Sequence, residues 1–352
     1  MIKKRRLFTP GPTPLFGPAA IELSRELIHH RTDEFRQIFK AVREGLRYFL
    51  QTEDEVVVFS SSGSGAMEAA VVNLFAPGES VAVINGGKFG ERWMEIARAY
   101  GLDVAEIYVD RGAAAEIAQV EAALNAHPQL KGLLWQDSET STGARHPTRS
   151  LTERLRDRGV LLVVDAITGL GAHTLQSSAW GLDAVIGASQ KALGLPPGLS
   201  FLSLSSRAVE RMESIPRHGF YFDLRRELRA QEKNDPLFTP SVSLIVAMKA
   251  VLEEIRAMGL PALVENAAVM AEMTRRAMRA LGLELYARNP ADSITAVKVP
   301  QGKSSQEIIR ALRRDFGVAF ADGQAELKGK IFRMTHLGYV DFVDTLGGDC
   351  GS

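Results

Sequence analysis

The alternation of short apolar runs with helix-length amphipathic stretches between residues 56 and 204 confines this chain to an α/β fold. Val56–Phe59, Val81–Ile84, 103–107, 132–136, Val160–Val164 and Ala184–Gly187 are strand-length runs, and stretches of helical period at 66–75, up to Tyr100, 113–125 and 148–158 lie between them. Alternating strands and helices build a mostly parallel, doubly wound sheet with crossover helices. Four polar loops, 60–65, 85–90, 138–143 and 165–169, each follow a strand. All four therefore fall on the C-terminal edge of the sheet, where open α/β sheets keep their ligands. The chain has 352 residues, 45% hydrophobic and 24% charged, enough for such a domain and a smaller second one.

Two residue types on that edge suggest a chemistry. The run Val160–Val164 ends in Asp165, and Ala184–Gly187 leads into Ser189, Gln190 and Lys191. Gly194, Pro196, Pro197 and Gly198 prevent a long helix after the lysine. Pyridoxal 5'-phosphate (PLP) chemistry needs such a pair. The amine forms an imine with the aldehyde, and the carboxylate keeps the pyridine nitrogen protonated so that the ring accepts electrons. Taken singly, each feature has a plainer reading, since strands of doubly wound domains often end in Asp and a Lys in a Gly/Pro loop is usually solvated. The Ser60–Gly65 loop, between strand and helix, suits a phosphate on a helix N-terminus. It lacks the Gly-Lys-Ser/Thr of a Walker A motif and the G-x-G-x-x-G of a dinucleotide site. Phe89 either packs on the core or stacks on a flat cofactor. Arg333, between Phe332 and Met334 on strand 331–335, is either an ordinary sheet charge or a clamp for a substrate carboxylate.

The remaining pattern narrows the class. Lys+Arg and Asp+Glu are both 42, so no global field recommends nucleic acid or an anionic membrane as partner. No apolar run approaches a membrane span, and the basic start MIKKRRLFTPGPTP lacks a signal peptide's apolar stretch, so a cytoplasmic location is expected. Cys350 is the only cysteine and can form neither an internal disulfide nor a multi-Cys metal site. His29 and His30 lack ligand partners at metal spacing, and no metal is expected. The proline-rich arm 1–18 is either a loose tail or an extended arm over a partner subunit or the site mouth. Residues 19–258 read as the large domain: a helix over 19–50 interrupted at His29–Arg31, the α/β region, a less regular 205–240 and a helix over 241–258. Residues 259–346 read as a smaller α/β domain, with helices 262–281 and 304–316 and strands 294–299, 317–320 and 331–335. The small, polar tail 347–352 is expected to be disordered.

In order along the chain stand FTPGPTPL (8–15), HHRTDEF (29–35), SSGSGAMEAA (61–70), NGGKFGERW (85–93), SETSTG (138–143), VVDAITGLG (163–171), GASQKALGLPPGL (187–199), FTPSVSLI (238–245) and GKIFRMTHLGYVD (329–341). Together they resemble the class V, fold type I PLP-dependent aminotransferases, nearest to the alanine–glyoxylate and serine–pyruvate group. The resemblance implies that Lys191 is the imine lysine and proton shuttle and that Asp165 pairs with the pyridine nitrogen. It implies that Ser62, Gly63, Ser64 and Gln190 bind the phosphate, that Phe89 stacks on the ring where relatives often carry Trp, and that Thr140 approaches the ring's 3'-oxygen. Arg333 would hold the substrate α-carboxylate. A homodimer with a shared site would bring Asn234 or Thr239 of one subunit to the phosphate of the other. The implied reaction is ping-pong transamination between a small L-amino acid, alanine or serine, and a 2-oxo acid, glyoxylate or pyruvate.

One departure from the pattern concerns the end of the chain. Such enzymes run on past Gly338-Tyr339-Val340-Asp341 into a further helix, whereas here a Gly-rich tail follows, and the small domain is expected to be short of that helix. Alternatives remain within and outside the class. A cysteine desulfurase or related lyase needs a mobile thiol near the site, and Cys350 lies in the tail. A 2-aminoethylphosphonate aminotransferase needs extra positive charge. A non-catalytic subunit on the same scaffold has no need of an imine lysine. An NAD-dependent dehydrogenase would need the glycine spacing that 56–75 lacks.

Overall fold

A computed structural model describes residues 4–349. The N-terminal arm carries a two-residue strand β1 (Arg6–Leu7). Helices α1 (Gly17–Leu23) and α2 (Asp33–Leu50) follow, separated by a longer break than the His29–Arg31 interruption expected. The α/β region runs β2 (Glu55–Phe59), α3 (Gly63–Leu74), β3 (Ser80–Asn85), α4 (Lys88–Ala99), β4 (Asp103–Tyr108), α5 (Ile117–Ala126), β5 (Gly132–Gln136), the small ladder β6 (Ser138–Glu139) and β7 (Ala144–Arg145), α6 (Thr148–Leu155), β8 (Leu161–Asp165), α7 (Ser177–Trp180), β9 (Ala184–Ala188) and β10 (Ser200–Leu204). Residues 205–240 contain two helices, α8 (Ser206–Ser214) and α9 (Leu224–Gln231), where irregular chain was expected. In α9, Asp223 supplies the N-cap by accepting from the Arg226 N–H.

Seven strands form the central sheet in the order β2-β10-β9-β8-β5-β3-β4. The sheet is parallel except for β10, which is antiparallel to both β2 and β9. The sheet is thus mostly parallel, as expected, with one reversed strand. Only the long, Pro- and Gly-containing loop 189–199 joins β9 to β10, so the chain turns back without a crossover helix. One face packs α3, α4, α8 and α9 against Val57, Val83, Val163 and Ile186. The other packs α2, α5, α6 and α10 (Val242–Met258) against Val58, Ile84, Trp135 and Val164. Alternating strand residues thus serve opposite cores.

The rest of the chain, which we propose as a smaller domain, contains α11 (Leu260–Ala280), β11 (Ile294–Lys298), α12 (Ser305–Phe316), β12 (Val318–Ala319), β13 (Ala321–Asp322) and β14 (Ile331–Thr335). Strands β11, β14 and β13 form an antiparallel sheet. The strand expected over 317–320 is split in two, with β12 pairing parallel to β1 of the arm and β13 pairing to β14. Phe8 of the arm is buried in the core of this domain with Met270, Val297 and Phe332. The arm is therefore anchored, which removes the loose-tail reading. A final helix α13 (Phe342–Asp349) follows Asp341 and packs on α11, which corrects the expectation that this helix would be missing and that 347–349 would be an irregular tail. Residues 350–352, Cys350 among them, lie outside the described residues.

Candidate active site

Asp165 is the last residue of β8, on the strand face that also presents Val163. It is buried, and its Oδ1 accepts the Ile167 N–H at 2.9 Å. Burial pushes its carboxyl up to about 7, opposed by that hydrogen bond and by the nearby cations Lys191 and Arg92, and reinforced by Glu139. Lys191 stands in the loop after β9 and is also buried. Burial brings its amine down to about 8, with Arg333 and Arg92 acting in the same direction and Asp165 against them. The lysine Nζ donates to the Pro10 carbonyl at 2.5 Å. The arm continues across the same loop: the Thr13 N–H donates to Gln190 O at 3.2 Å, and Thr13 Oγ1 donates to Lys191 O at 2.7 Å. A Cβ on Gly11 would lie 2.6 Å from Lys191 Nζ, so only glycine fits where the arm crosses the lysine.

Ser62 is the N-cap of α3, and Gly63 and Ser64 form its first turn, three residues earlier than the helix expected from Ala66. The Ser62 side chain makes no capping hydrogen bond, which leaves the positive end of α3 free for an anion. The Gln190 Oε1 is buried and without a hydrogen-bond partner among the described residues. On the opposite side, Phe89 sits in the first turn of α4. Thr140 Oγ1 lies 2.7 Å from Thr168 Oγ1. Arg333 reaches across from β14. Its Nε and Nη2 donate to Asp322 O at 3.0 and 2.6 Å, and its Nη1 donates to Thr140 O at 2.9 Å. Burial lowers the guanidinium to about 10, so it stays charged at neutral pH. Three of its five N–H groups are used in fixing it, and the planar fork retains donors for a carboxylate.

Asn234 and Thr239 are not joined to this group within one chain. Asn234 lies just past α9 in the left-handed region, φ 56, and donates its N–H to Gln231 O. Thr239 borders a small surface hollow with Ser60, Tyr221 and Phe238.

Three residues that sequence reasoning passed over belong to the site. Glu139 is fully buried and accepts from the N–H groups of Phe89 (3.1 Å), Gly90 (3.2 Å) and Ser141 (3.1 Å) and from Ser141 Oγ (2.5 Å). It caps α4, whose N-cap Gly87 has no side chain to do so, and thereby sets the turn that carries Phe89. A Cβ on Gly87 would come within 2.4 Å of Ser141 Oγ. Arg92 places its guanidinium 4.8 Å from the Phe89 ring centroid and donates to Ser64 Oγ at 3.2 Å. Gln136, at the end of β5 and in register with Asp165, is fully buried with both amide atoms unpartnered. The one available signal was for Glu139: a helix opening on Gly-Gly has no cap of its own and needs an acceptor from elsewhere.

A buried amine and a buried carboxylate thus stand on one sheet edge, with an open helix N-terminus and a pinned arginine nearby. Residues 22–336 match the family model "Aminotransferase class-V", and the chain belongs to that family of PLP-dependent aminotransferases. It is 39% identical to a Synechococcus sp. protein named "Soluble hydrogenase, small subunit", over 98% of this chain and 91% of that one. Among solved structures it superposes on an aspartate aminotransferase of subgroup IV from Thermus thermophilus with a TM-score of 0.92 and 36% identity, covering 98% of this chain and 97% of that one. An alanine–glyoxylate aminotransferase from Nostoc sp. gives a TM-score of 0.92 at 28% identity, covering 100% and 96%. Among the described residues no helix is long and apolar enough to cross a membrane.

Proposed function

We propose that this chain catalyses PLP-dependent transamination between a small L-amino acid, alanine or serine, and a 2-oxo acid, glyoxylate or pyruvate. The observation that carries this reading is the burial of Lys191 beside Asp165, with the amine brought down to about 8. A lysine so placed is neutral often enough near pH 7 to act as nucleophile and base.

The residues present suit the cofactor. The uncapped start of α3 offers N–H groups to a phosphate, and the buried Gln136 amide, unpartnered among the described residues, has both a donor and an acceptor to offer a polar group. PLP, when bound, supplies an aldehyde for the amine and an electron sink for the Cα–H bond electrons. In this reading Ser62, Gly63, Ser64 and Gln190 hold the phosphate, Phe89 covers one ring face, and Thr140 stands near the 3'-oxygen. Asp165 holds the ring nitrogen, and a cation against it would draw the raised carboxyl back down. Arg333 fixes the substrate α-carboxylate by its remaining N–H groups, which orients the Cα–H bond. Lys191 then takes the proton from Cα and returns it on the cofactor side, and the same groups run the second half-reaction in reverse. A homodimer is part of the proposal, with Asn234 or Thr239 of a second copy completing the phosphate site.

A second reading, aspartate as donor, is favoured by the name of the Thermus relative. Reconstitution with PLP and glyoxylate, followed by assay of the oxo acid made from L-alanine, L-serine or L-aspartate, tests both. Pyruvate from alanine, or hydroxypyruvate from serine, supports the first; turnover of aspartate alone supports the second. No oxo acid from any donor would refute the proposal.

A further inference from the structure

We propose that Arg92 is the cation that pairs with the cofactor phosphate at the N-terminus of α3. The inference rests on the reading that this site holds PLP, and it adds a charged partner to a phosphate cradle otherwise made of neutral donors. A phosphate monoester carries a charge of about −1.5 to −2 near neutral pH. The Ser62–Ser64 turn and Gln190 offer only N–H, hydroxyl and amide groups to meet it.

Three observations converge on Arg92. The first is a contrast between neighbouring helices. Neither α3 nor α4 has a side-chain cap of its own, yet Glu139 enters the open end of α4 and accepts its N–H groups. Among the described residues no carboxylate does this for α3, so its positive end is left for an anion from outside the chain. The second is position: Arg92 Nη1 donates to Ser64 Oγ at 3.2 Å, at that same helix end. The third is charge. Lys88 and Arg111 on the same rim are both paired with Glu91, and Arg111 also with Glu326. Among the described residues Arg92 has no carboxylate within ion-pair distance, and its hydrogen bond to Ser64 is to a neutral hydroxyl. A partly buried guanidinium left without a counter-ion is costly, and a phosphate matches its fork geometry.

Phe89 holds the side chain in this position. The guanidinium lies over the ring at 4.8 Å, so the residue that covers the cofactor ring also steers the cation. The field of Arg92 extends to the reacting groups, since it lowers both the Lys191 amine and the Asp165 carboxyl. A bound phosphate would quench that field.

The test compares PLP with pyridoxal, which has the same ring and aldehyde but no phosphate. Cofactor-free wild type, Arg92→Met and Arg92→Lys are each titrated with both compounds by absorbance and tryptophan fluorescence, at low and high salt. The melting temperature of each cofactor-free protein is measured to establish that it is folded. Arg92→Met is expected to lose roughly ten- to hundredfold in PLP affinity, the range for one charge-assisted contact. Its pyridoxal affinity should fall far less, its PLP binding should show a weaker salt dependence, and Arg92→Lys should recover part of the loss. Equal losses for both compounds would mean that Arg92 only supports the Phe89 ring. Unchanged PLP affinity with a raised KM for aspartate alone would make it a receptor for a substrate side chain. Either result overturns the proposal. Wild type that binds neither compound would overturn the PLP reading as well, so the two failures are told apart.

Discussion

Lys191 Nζ donates to the carbonyl oxygen of Pro10 at 2.5 Å, so this buried amine is held by the N-terminal arm. The same arm threads Phe8 into the small-domain core and pairs β1 with β12. The arm thus touches both Lys191 and the core that contains Phe8, and moving the arm is expected to move the amine.

Gly11→Ala tests this connection. The added Cβ would sit 2.6 Å from Nζ and 2.9 Å from Cε of Lys191, so either arm or lysine must move. A displacement of about 1 Å at a reacting group can lower activity roughly a hundredfold. We expect kcat to fall by at least tenfold with a change of only a few degrees in melting temperature. Unaltered kcat would show that the arm does not position the amine.

Glu139→Ala should destabilise the protein by about 1–3 kcal/mol, because it strands the buried N–H groups of Phe89 and Gly90. Phe89 would lose its fixed turn, and PLP should bind less tightly. Glu139→Gln keeps an acceptor oxygen and should recover much of the stability. It also removes a charge that raises the Asp165 carboxyl, so Asp165 should titrate lower in that variant. Chemical denaturation and carboxyl NMR would check the two effects separately.

The Lys191 amine should titrate near 8 in the cofactor-free protein. Asp165 favours the charged amine and Arg92 opposes it. Asp165→Asn should therefore lower the amine further, and Arg92→Met should raise it. The pH dependence of Lys191 labelling by an amine-directed reagent, read by mass spectrometry, would reveal shifts of the opposite sign.

The buried histidines should withdraw stability on acidification, opposed in part by Asp165, whose raised carboxyl takes up its proton in the folded chain near 7. Burial holds His146 at about 4 and His336 at about 3 in the folded chain, well below the ordinary histidine value of about 6.5. At these histidines the unfolded state then binds more protons as pH drops below about 6.5. This loss grows until the folded values are reached. Asp137, held at about 2 by His173, adds its own loss only below about 4. His336→Gln should flatten the upper part of the acid limb in a series of melting temperatures between pH 7 and pH 4. An unchanged slope would contradict the assignment.

Much of this site was legible in the chain because its signals are local. Asp165 ends an apolar run, Lys191 follows another, and the Ser62–Ser64 turn links a strand to a helix. What was missed depends on contacts distant in sequence. Glu139 in a Ser/Thr-rich loop reads as a solvated carboxylate, and only folding brings it to α4, fifty residues earlier. Arg92 reads as the outer face of a helix until Ser64 and Phe89 are placed beside it. The reversal at β10 was hidden because the run SFLSL is the same in either strand direction. The arm showed its prolines in sequence, but not that Phe8 would be drawn into a second domain's core.

The most direct test of the central claim is the visible absorption spectrum of the PLP-reconstituted protein, before and after adding L-alanine, L-serine or L-aspartate, run alongside Lys191→Ala. We predict a visible band in the wild type that bleaches with a donor amino acid, and neither that band nor turnover in Lys191→Ala. The absence of any band in the wild type after adding PLP, or normal turnover by Lys191→Ala, would contradict it.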